Sequence, residues 1–321
     1  MRDPRTYLDK EKMSRLQIIV VAITTLLNAI DGFDVLSISF AAPGIAKEWG
    51  TTQAALGVVM SMELIGMAIG SFILGGVADR IGRRRTLLGC LIIMTGGMLL
   101  VTTAANAVQL SIWRVIVGLG IGGILACVNA VVAEFSSVKR RGLCISIMVI
   151  GYPLGGTFGG MLASFLLQSH DWRAIFYFGA IITGVCVPLV FFLVPESIHW
   201  LCQKQPKNAL EKVNATLARM AFPPVDSLPE KEIRTEKRSI GGIFSPSLVT
   251  VTVLMTVAYF LHITTFYFIL KWSPKIVADM GFAPSLAGGV LVWANLGGAV
   301  GGAIFGWLTT RIELKNLTII I

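Results

Sequence analysis

The stretch Gly75-Gly-Val-Ala-Asp79-Arg80-Ile-Gly82-Arg83-Arg84-Arg85 gathers five charged residues and three glycines into eleven positions. On either side the chain turns apolar. Between Glu48 and Asp79 the only charge is Glu63, and between Arg85 and Glu134 the only charge is Arg114. The first run holds one helix of the roughly 20 residues that cross a ~30 Å hydrocarbon core, and the second is long enough for two with a turn near Asn106. A short charged loop between two such runs predicts a pair of membrane helices joined at one surface.

The rest of the chain repeats this pattern. Of 321 residues, 55% are apolar and 14% are charged, against about a quarter charged in a soluble domain. A water-soluble protein, a disordered chain, a collagen-like repeat and a small disulfide scaffold are excluded. The net charge of +9 does not imply a nucleic-acid partner, because the basic residues fall in short segments between apolar runs rather than on one folded face. The partner is the lipid bilayer. Charge-bounded gaps at Arg15–Lys47, Glu48–Asp79, Arg141–Asp171, Arg173–Glu196, Arg238–Lys271 and Asp279–Arg311, with the double-length run after Arg85, predict an all-α membrane protein of eight complete transmembrane helices. A ninth begins after Lys315 and stops at Ile321, so the chain reads as a truncated portion of a longer design. The first apolar run is full length and carries carboxylates, unlike a signal peptide. Of the 27 Lys and Arg residues, 22 fall on one side of the predicted membrane. The positive-inside rule therefore makes the amino terminus and the loop from Pro195 to Gly242 cytoplasmic, in a multi-pass protein of the cell (inner or plasma) membrane. Cys90, Cys127, Cys144, Cys186 and Cys202 form no CxxC pair and read as reduced apolar fillers. No metal site and no cofactor are expected, and the chain is expected to be a monomer.

Residues 195–246 are polar and contain an amphipathic stretch around Ala209 to Met220, which marks a cytoplasmic linker. It separates a six-helix half, residues 1–194, from a partial second half, residues 247–321. At an ungapped offset of 231, Pro43, Gly50, Gly57, Gly66, Gly70, Gly75 and Arg80 superpose on Pro274, Gly281, Gly288, Gly297, Gly301, Gly306 and Arg311. A six-helix unit, a linker and the same unit begun again is a parallel repeat of the kind seen in transporters built from two six-helix halves.

The Gly75 to Arg85 loop resembles the signature of the major facilitator superfamily, and its degraded copy Gly306-Trp-Leu-Thr-Thr-Arg311 falls where that superfamily repeats it. Arg114-x3-Gly118-x-Gly120-x-Gly122, Ala133-Glu134-Phe135 followed by Arg141-Gly142, and Pro195-Glu196-Ser197 agree with it as well. Asp31-Gly32-Phe33-Asp34 is similar to the DGxD motif of the aromatic acid:proton symporters, and Trp272-Ser-Pro274 fits them. The resemblance implies a major-facilitator-type helical bundle that takes up a small aromatic carboxylate, benzoate- or hydroxybenzoate-like, together with a proton by alternating access. An exporter of drugs or metabolites, or a non-transporting truncated fragment, is the alternative. The sequence contains no Walker loop, metal-ligand cluster or nucleophile–base pair, so no enzyme is expected.

Asp31 and Asp34 lie three residues apart near the middle of the first span, on one helix face, where bare carboxylates cost several kcal/mol unless they meet water or a partner. They are candidates for proton coupling. Arg114 is too deep for an interfacial anchor and needs an anion, which Asp31, Asp34, Glu63 or a substrate carboxylate could supply. The resemblance associates this arginine with proton coupling. Glu63 is mid-span without a polar neighbourhood to assign it. The 231 offset superposes His262 on Asp31, and with Tyr259 and Tyr267 it would place polar and aromatic groups across a central cavity. In the charged loop, Gly75, Asp79, Arg80, Gly82 and Arg83 form a latch in which Asp79 and Arg83 exchange partners with Glu134 and Arg141 as the halves rock. The second-half copy has Thr310 in place of the acid and Leu314 in place of the arginine, so it is expected to be weak. Gly151, Pro153 and Gly155 in the fifth span combine small residues with a bend and read as a hinge.

Overall fold

A computed structural model describes residues 3–230, 242, 244–246 and 248–308, and every element among them is helical. A short helix α1, Pro4–Lys10, precedes α2, Arg15–Trp49. Ser14 starts α2 with a capping box: its hydroxyl accepts from the Gln17 N–H, and the Gln17 side chain accepts from the Ser14 N–H at 2.8 Å. Helix α3 spans Gln53–Ile81, α4 Arg83–Thr102, α5 Ala107–Phe135, α6 Arg141–Leu166 after a 3₁₀ turn Val138–Arg140, and α7 Arg173–Leu193. Short helices α8, Ile198–Lys204, and α9, Ala209–Arg219, follow, and then α10, Val249–Asp279, and α11, Pro284–Leu308.

Seven of these, α2 to α7 and α10, are long and apolar enough to cross a membrane. The eighth expected span corresponds to α11, whose apolar stretch Gly289–Ile304 is shorter. The expected start of a ninth helix after Lys315, and the second-half copy at Thr310, Arg311 and Leu314, lie outside the described residues, as does the linker segment 231–241.

Helix contacts follow the glycines. A Cβ on Gly66 would meet the Val115 carbonyl, one on Gly118 the Glu63 carbonyl, and one on Gly122 the Met67 carbonyl, so α3 and α5 touch backbone to backbone. On the other side of the bundle Gly32 abuts the Tyr152 carbonyl, Gly151 the Thr25 carbonyl and Gly155 the Ala29 carbonyl, which seats α6 directly on α2. Small residues at interfaces are what packing in lipid requires, because no hydrophobic force drives apolar helices together there. Helix α4 lies against α5 and α7, while α10 meets α2 and α11 meets α6. Large apolar side chains such as Phe72, Ile92, Phe158, Phe192 and Leu254 cover the outside. The five cysteines are buried and unpaired.

The two register-matched glycines Gly50 and Gly281 both take positive φ, 58° and 97°, just past the ends of α2 and α10. Pro43 and Pro274 likewise both sit inside those helices. At the end of the bundle that carries Asp79, α1 packs against α8 and the 3₁₀ turn, and Tyr7 stacks on Phe222 beyond α9 with centroids 5.5 Å apart.

Candidate functional site

The contact of α3 with α5 places Glu63 beside Arg114, and both side chains are completely buried. Arg114 Nη2 forms an ion pair with Glu63 Oε1 and donates to the Asp34 carbonyl at 3.2 Å, while Nη1 donates to Ser37 Oγ at 3.2 Å. The guanidinium also lies over the Phe176 ring, 5.6 Å from its centroid. The anion sought for Arg114 is therefore Glu63, with α2 contributing backbone and hydroxyl rather than a carboxylate.

The second oxygen of Glu63 meets Lys271, the charge that bounds the seventh predicted span. Lys271 of α10 is 3% exposed, and its Nζ donates to Glu63 Oε2 at 2.6 Å and to the Val35 carbonyl at 2.5 Å. Counting charges as span boundaries ended the seventh helix at Lys271, but α10 continues to Asp279. The signal that could have found it is charge balance: Asp31, Asp34 and Glu63 are three deep acids, and Arg114 alone leaves them two cations short.

Asp31 and Asp34 are fully buried; neither Asp31 oxygen accepts a hydrogen bond from a described group, while the Thr183 hydroxyl stands beside the Asp34 carboxylate. Asp31 feels the charges of Glu63 and Lys271, and Asp34 those of Arg114, Glu63 and Asp31. Five ionisable groups from α2, α3, α5 and α10 thus form one buried cluster. With all of them ionised it carries a net charge of −1.

Beside the cluster a cavity of about 330 Å³ separates α3 from α10, lined among others by Met60, Leu64, Tyr267, Phe268, Lys271 and Trp272. Tyr267 is half-buried and electrostatically linked to Asp31 and Glu63. The other two candidates on this helix do not join them. Tyr259 is 66% exposed, and His262 is exposed and stacks on Phe266 at 6.3 Å. They occupy the outer face of α10, although the 231 register superposes His262 on Asp31.

In the charged loop Arg83 pairs with Asp79 at 2.5 Å, one helical turn away, and with Glu134 Oε1 at 3.4 Å. Arg141 instead pairs with Asp9 of α1 at 2.9 Å, and Arg80 is exposed. Gly75 packs on Ala126 of α5. Gly82 takes φ 109°, and a Cβ there would strike the Glu196 carboxylate. That carboxylate accepts from the Arg83, Arg84 and Ser197 N–H groups at 2.8, 3.3 and 3.1 Å, so the residue after Pro195 caps the start of α4. Burial pushes the Glu196 carboxyl above its usual range against the pull of those N–H groups, and burial likewise pushes the nearby His199 imidazole below its usual range. Trp200 Nε1 donates to the Asp79 carbonyl at 3.0 Å. The fifth-span glycines Gly151 and Gly155 flank Pro153 on the α2–α6 seam already described.

Residues 24–321 match the Major Facilitator Superfamily. The chain is 30% identical to the 4-hydroxybenzoate transporter PcaK of Acinetobacter baylyi over 98% of its own length and 70% of the relative's. It is 29% identical to the gallate transporter of Pseudomonas putida, over 96% of its length and 69% of that protein. Among solved structures it superposes on the partially occluded inward-open xylose transporter XylE from E. coli with a TM-score of 0.72 at 17% identity, covering 92% of this chain and 74% of that one. The seven membrane-crossing helices, the charged loop after α3 and these likenesses agree: this multi-pass membrane chain is a transporter rather than an enzyme and belongs to the Major Facilitator Superfamily.

Proposed function

We propose that the protein is a proton-coupled importer of small aromatic carboxylates, with the buried cluster of Asp31, Asp34, Glu63, Arg114 and Lys271 as its coupling centre. The observation that carries this reading is the charge count. Three acids against two cations, with Asp31 accepting no hydrogen bond from a described group, leave one negative charge in a fully buried region. A bare carboxylate in such surroundings is costly, and one proton neutralises the set. Asp31 is the coupling group in this reading, taking its proton from one side of the membrane and releasing it to the other.

The relatives named for gallate and 4-hydroxybenzoate support an aromatic acid as cargo, and Tyr267, Phe268 and Trp272 offer ring faces beside the cluster. In this reading residues 1–194 and the half beginning at 247 rock about the linker, the amino terminus faces the cytoplasm, and the protein works as a monomer. The Asp79, Arg83 and Glu134 pairs hold one arrangement closed, and the α2–α6 seam around Gly151, Pro153 and Gly155 lets the helices shift.

Uptake of labelled 4-hydroxybenzoate by cells making the protein tests the reading. Accumulation that collapses with a protonophore is the expected result. Uptake indifferent to the proton gradient would remove the coupling, and no uptake beyond control cells would remove the function.

A further inference from the structure

Glu63 is held by a cation on each side, and the two cations are not equally committed to it. Arg114 is fixed by Ser37, the Asp34 carbonyl and the Phe176 ring as well as by Glu63. Among the described residues its Nε–H, buried, has no acceptor, and Glu63 Oε1 accepts no hydrogen bond of proper geometry despite its ion pair with Nη2. A guanidinium binds a carboxylate best through two parallel N–H donors, so the Arg114–Glu63 pair is one donor short of that arrangement. What holds the carboxylate away from it is Lys271, which draws Oε2 toward α10.

Lys271 has a different set of neighbours. An ammonium carries three donors, and among the described residues Glu63 and the Val35 carbonyl are the two acceptors that Nζ reaches. The same side chain lines the 330 Å³ cavity, within the range of about 300–1,000 Å³ that small-molecule sites occupy. Thr264, Tyr267, Phe268, Lys271 and Trp272 recur at helical spacing along one face of α10, with Met60 and Leu64 of α3 opposite. A cation at the end of an aromatic and aliphatic slot is complementary to a ring that bears one carboxylate.

We propose that Lys271 is the receptor for the substrate carboxylate and that Glu63 is the internal carboxylate it displaces. The incoming acid takes the Lys271 ammonium, and Glu63 swings onto Arg114 to complete a two-donor pair with Nε. Each cation keeps one carboxylate in the exchange, and the negative charge that the substrate adds is balanced when Asp31 and Asp34 are both protonated. Since Arg114 stands on α5 and Lys271 on α10, substrate replaces an ion pair that joins the two sides of the linker by one that does not. This deepens the aromatic-acid reading, on which it rests, by naming the group that recognises the acid function.

The test compares equilibrium binding of labelled 4-hydroxybenzoate with that of its uncharged analogue 4-hydroxybenzamide to the purified protein in detergent. In wild type the acid binds more tightly than the amide. Lys271→Met should weaken the acid by about tenfold or more and the amide by little, so their affinity ratio collapses. Lys271→Arg, which keeps the charge, should preserve the preference for acid. Should Lys271→Met unfold, Lys271→Met/Glu63→Gln removes one charge of each sign and keeps the net charge of the cluster, and the same loss of discrimination is expected of it. An acid-to-amide ratio unchanged in these variants would overturn the receptor role and leave the transport function standing. Failure of wild type to bind any aromatic acid would overturn both.

Discussion

The protein shares one charge between two of the opposite sign at two places that differ in their access to water: Glu63 between Arg114 and Lys271, and Arg83 between Asp79 and Glu134. In the middle of the bundle Arg114 and Glu63 are 0% exposed and Lys271 3%. At the end of the bundle Arg83 pairs with Glu134 and with Asp79, whose side chain is 66% exposed. Attraction between unit charges grows as the surroundings lose polarity, and so does the cost of leaving one alone. The central cluster is therefore a device in which every charge must be matched at every step. The loop pairs can break and reform at little cost, which suits a latch.

The sharpest way to break this contrast is to take one acid from each place. Glu63→Gln leaves Arg114 and Lys271 buried without their shared carboxylate, and the expected loss is about 3–5 kcal/mol, the cost of an uncompensated buried charge. Thermal unfolding in detergent reads it. Lys271→Met added to Glu63→Gln should return part of the loss. A Glu63→Gln protein as stable as wild type would mean that Asp31 and Asp34, then equal in number to the two cations, take over their pairing.

Next in size is Asp31→Asn. It removes a titrating group but preserves shape, and because Arg114 is paired to Glu63 rather than to Asp31, folding should survive. Gradient-driven uptake should fall at least about tenfold, while exchange of labelled for unlabelled substrate, which moves no net proton, continues. Full gradient-driven accumulation in the folded variant would sink the coupling role.

Asp79→Asn, the loop counterpart, should change stability by less than about 1 kcal/mol and lower the transport rate a few-fold without altering membrane insertion. An unchanged rate would remove the latch.

The smallest effect concerns His199, beside the loop pairs. Burial lowers its proton affinity in the folded protein, so below the ordinary histidine range the unfolded chain takes up a proton that the folded one refuses. Stability is therefore lost as pH falls from about 7.5 to about 5.5, and His199→Gln should flatten that part of the unfolding midpoint curve. Glu196, with its proton affinity raised by burial, changes stability in the opposite sense over the range above the ordinary carboxylate values. The comparison must be made between variant and wild type rather than on wild type alone.

Much of the architecture was legible because apolar runs and charged turns alternate at bilayer spacing. The central site was legible only in outline. Asp31, Asp34 and Arg114 announced themselves as charges where none should be, but which acid Arg114 would choose depends on the α3–α5 approach through Gly66 and Gly118, a contact between residues far apart in sequence. Lys271 was misplaced because a rule that ends spans at cations has no way to know that one cation has a buried carboxylate waiting for it. The repeat register identified matching backbone landmarks, such as Gly50 and Gly281 with their positive φ, yet assigned His262 to a position whose surroundings it does not share. Offsets carry chain geometry between halves, whereas environments are set by neighbours. Arg141 was grouped with the loop charges by motif, and its real partner, Asp9, comes from a short helix that sequence periodicity left unremarked.

The seam between α2 and α6 has a mechanical consequence. Gly32 against Tyr152 and Gly155 against Ala29 bring main chain to main chain, with no side chain between them at those points. Interlocked side chains resist shear, since each must leave one rotamer well before it finds another. A smooth contact has no such teeth. Displacement along it is closer to the travel of a plain bearing than to the click of a ratchet, and a single methyl group set on Gly155 would act as grit.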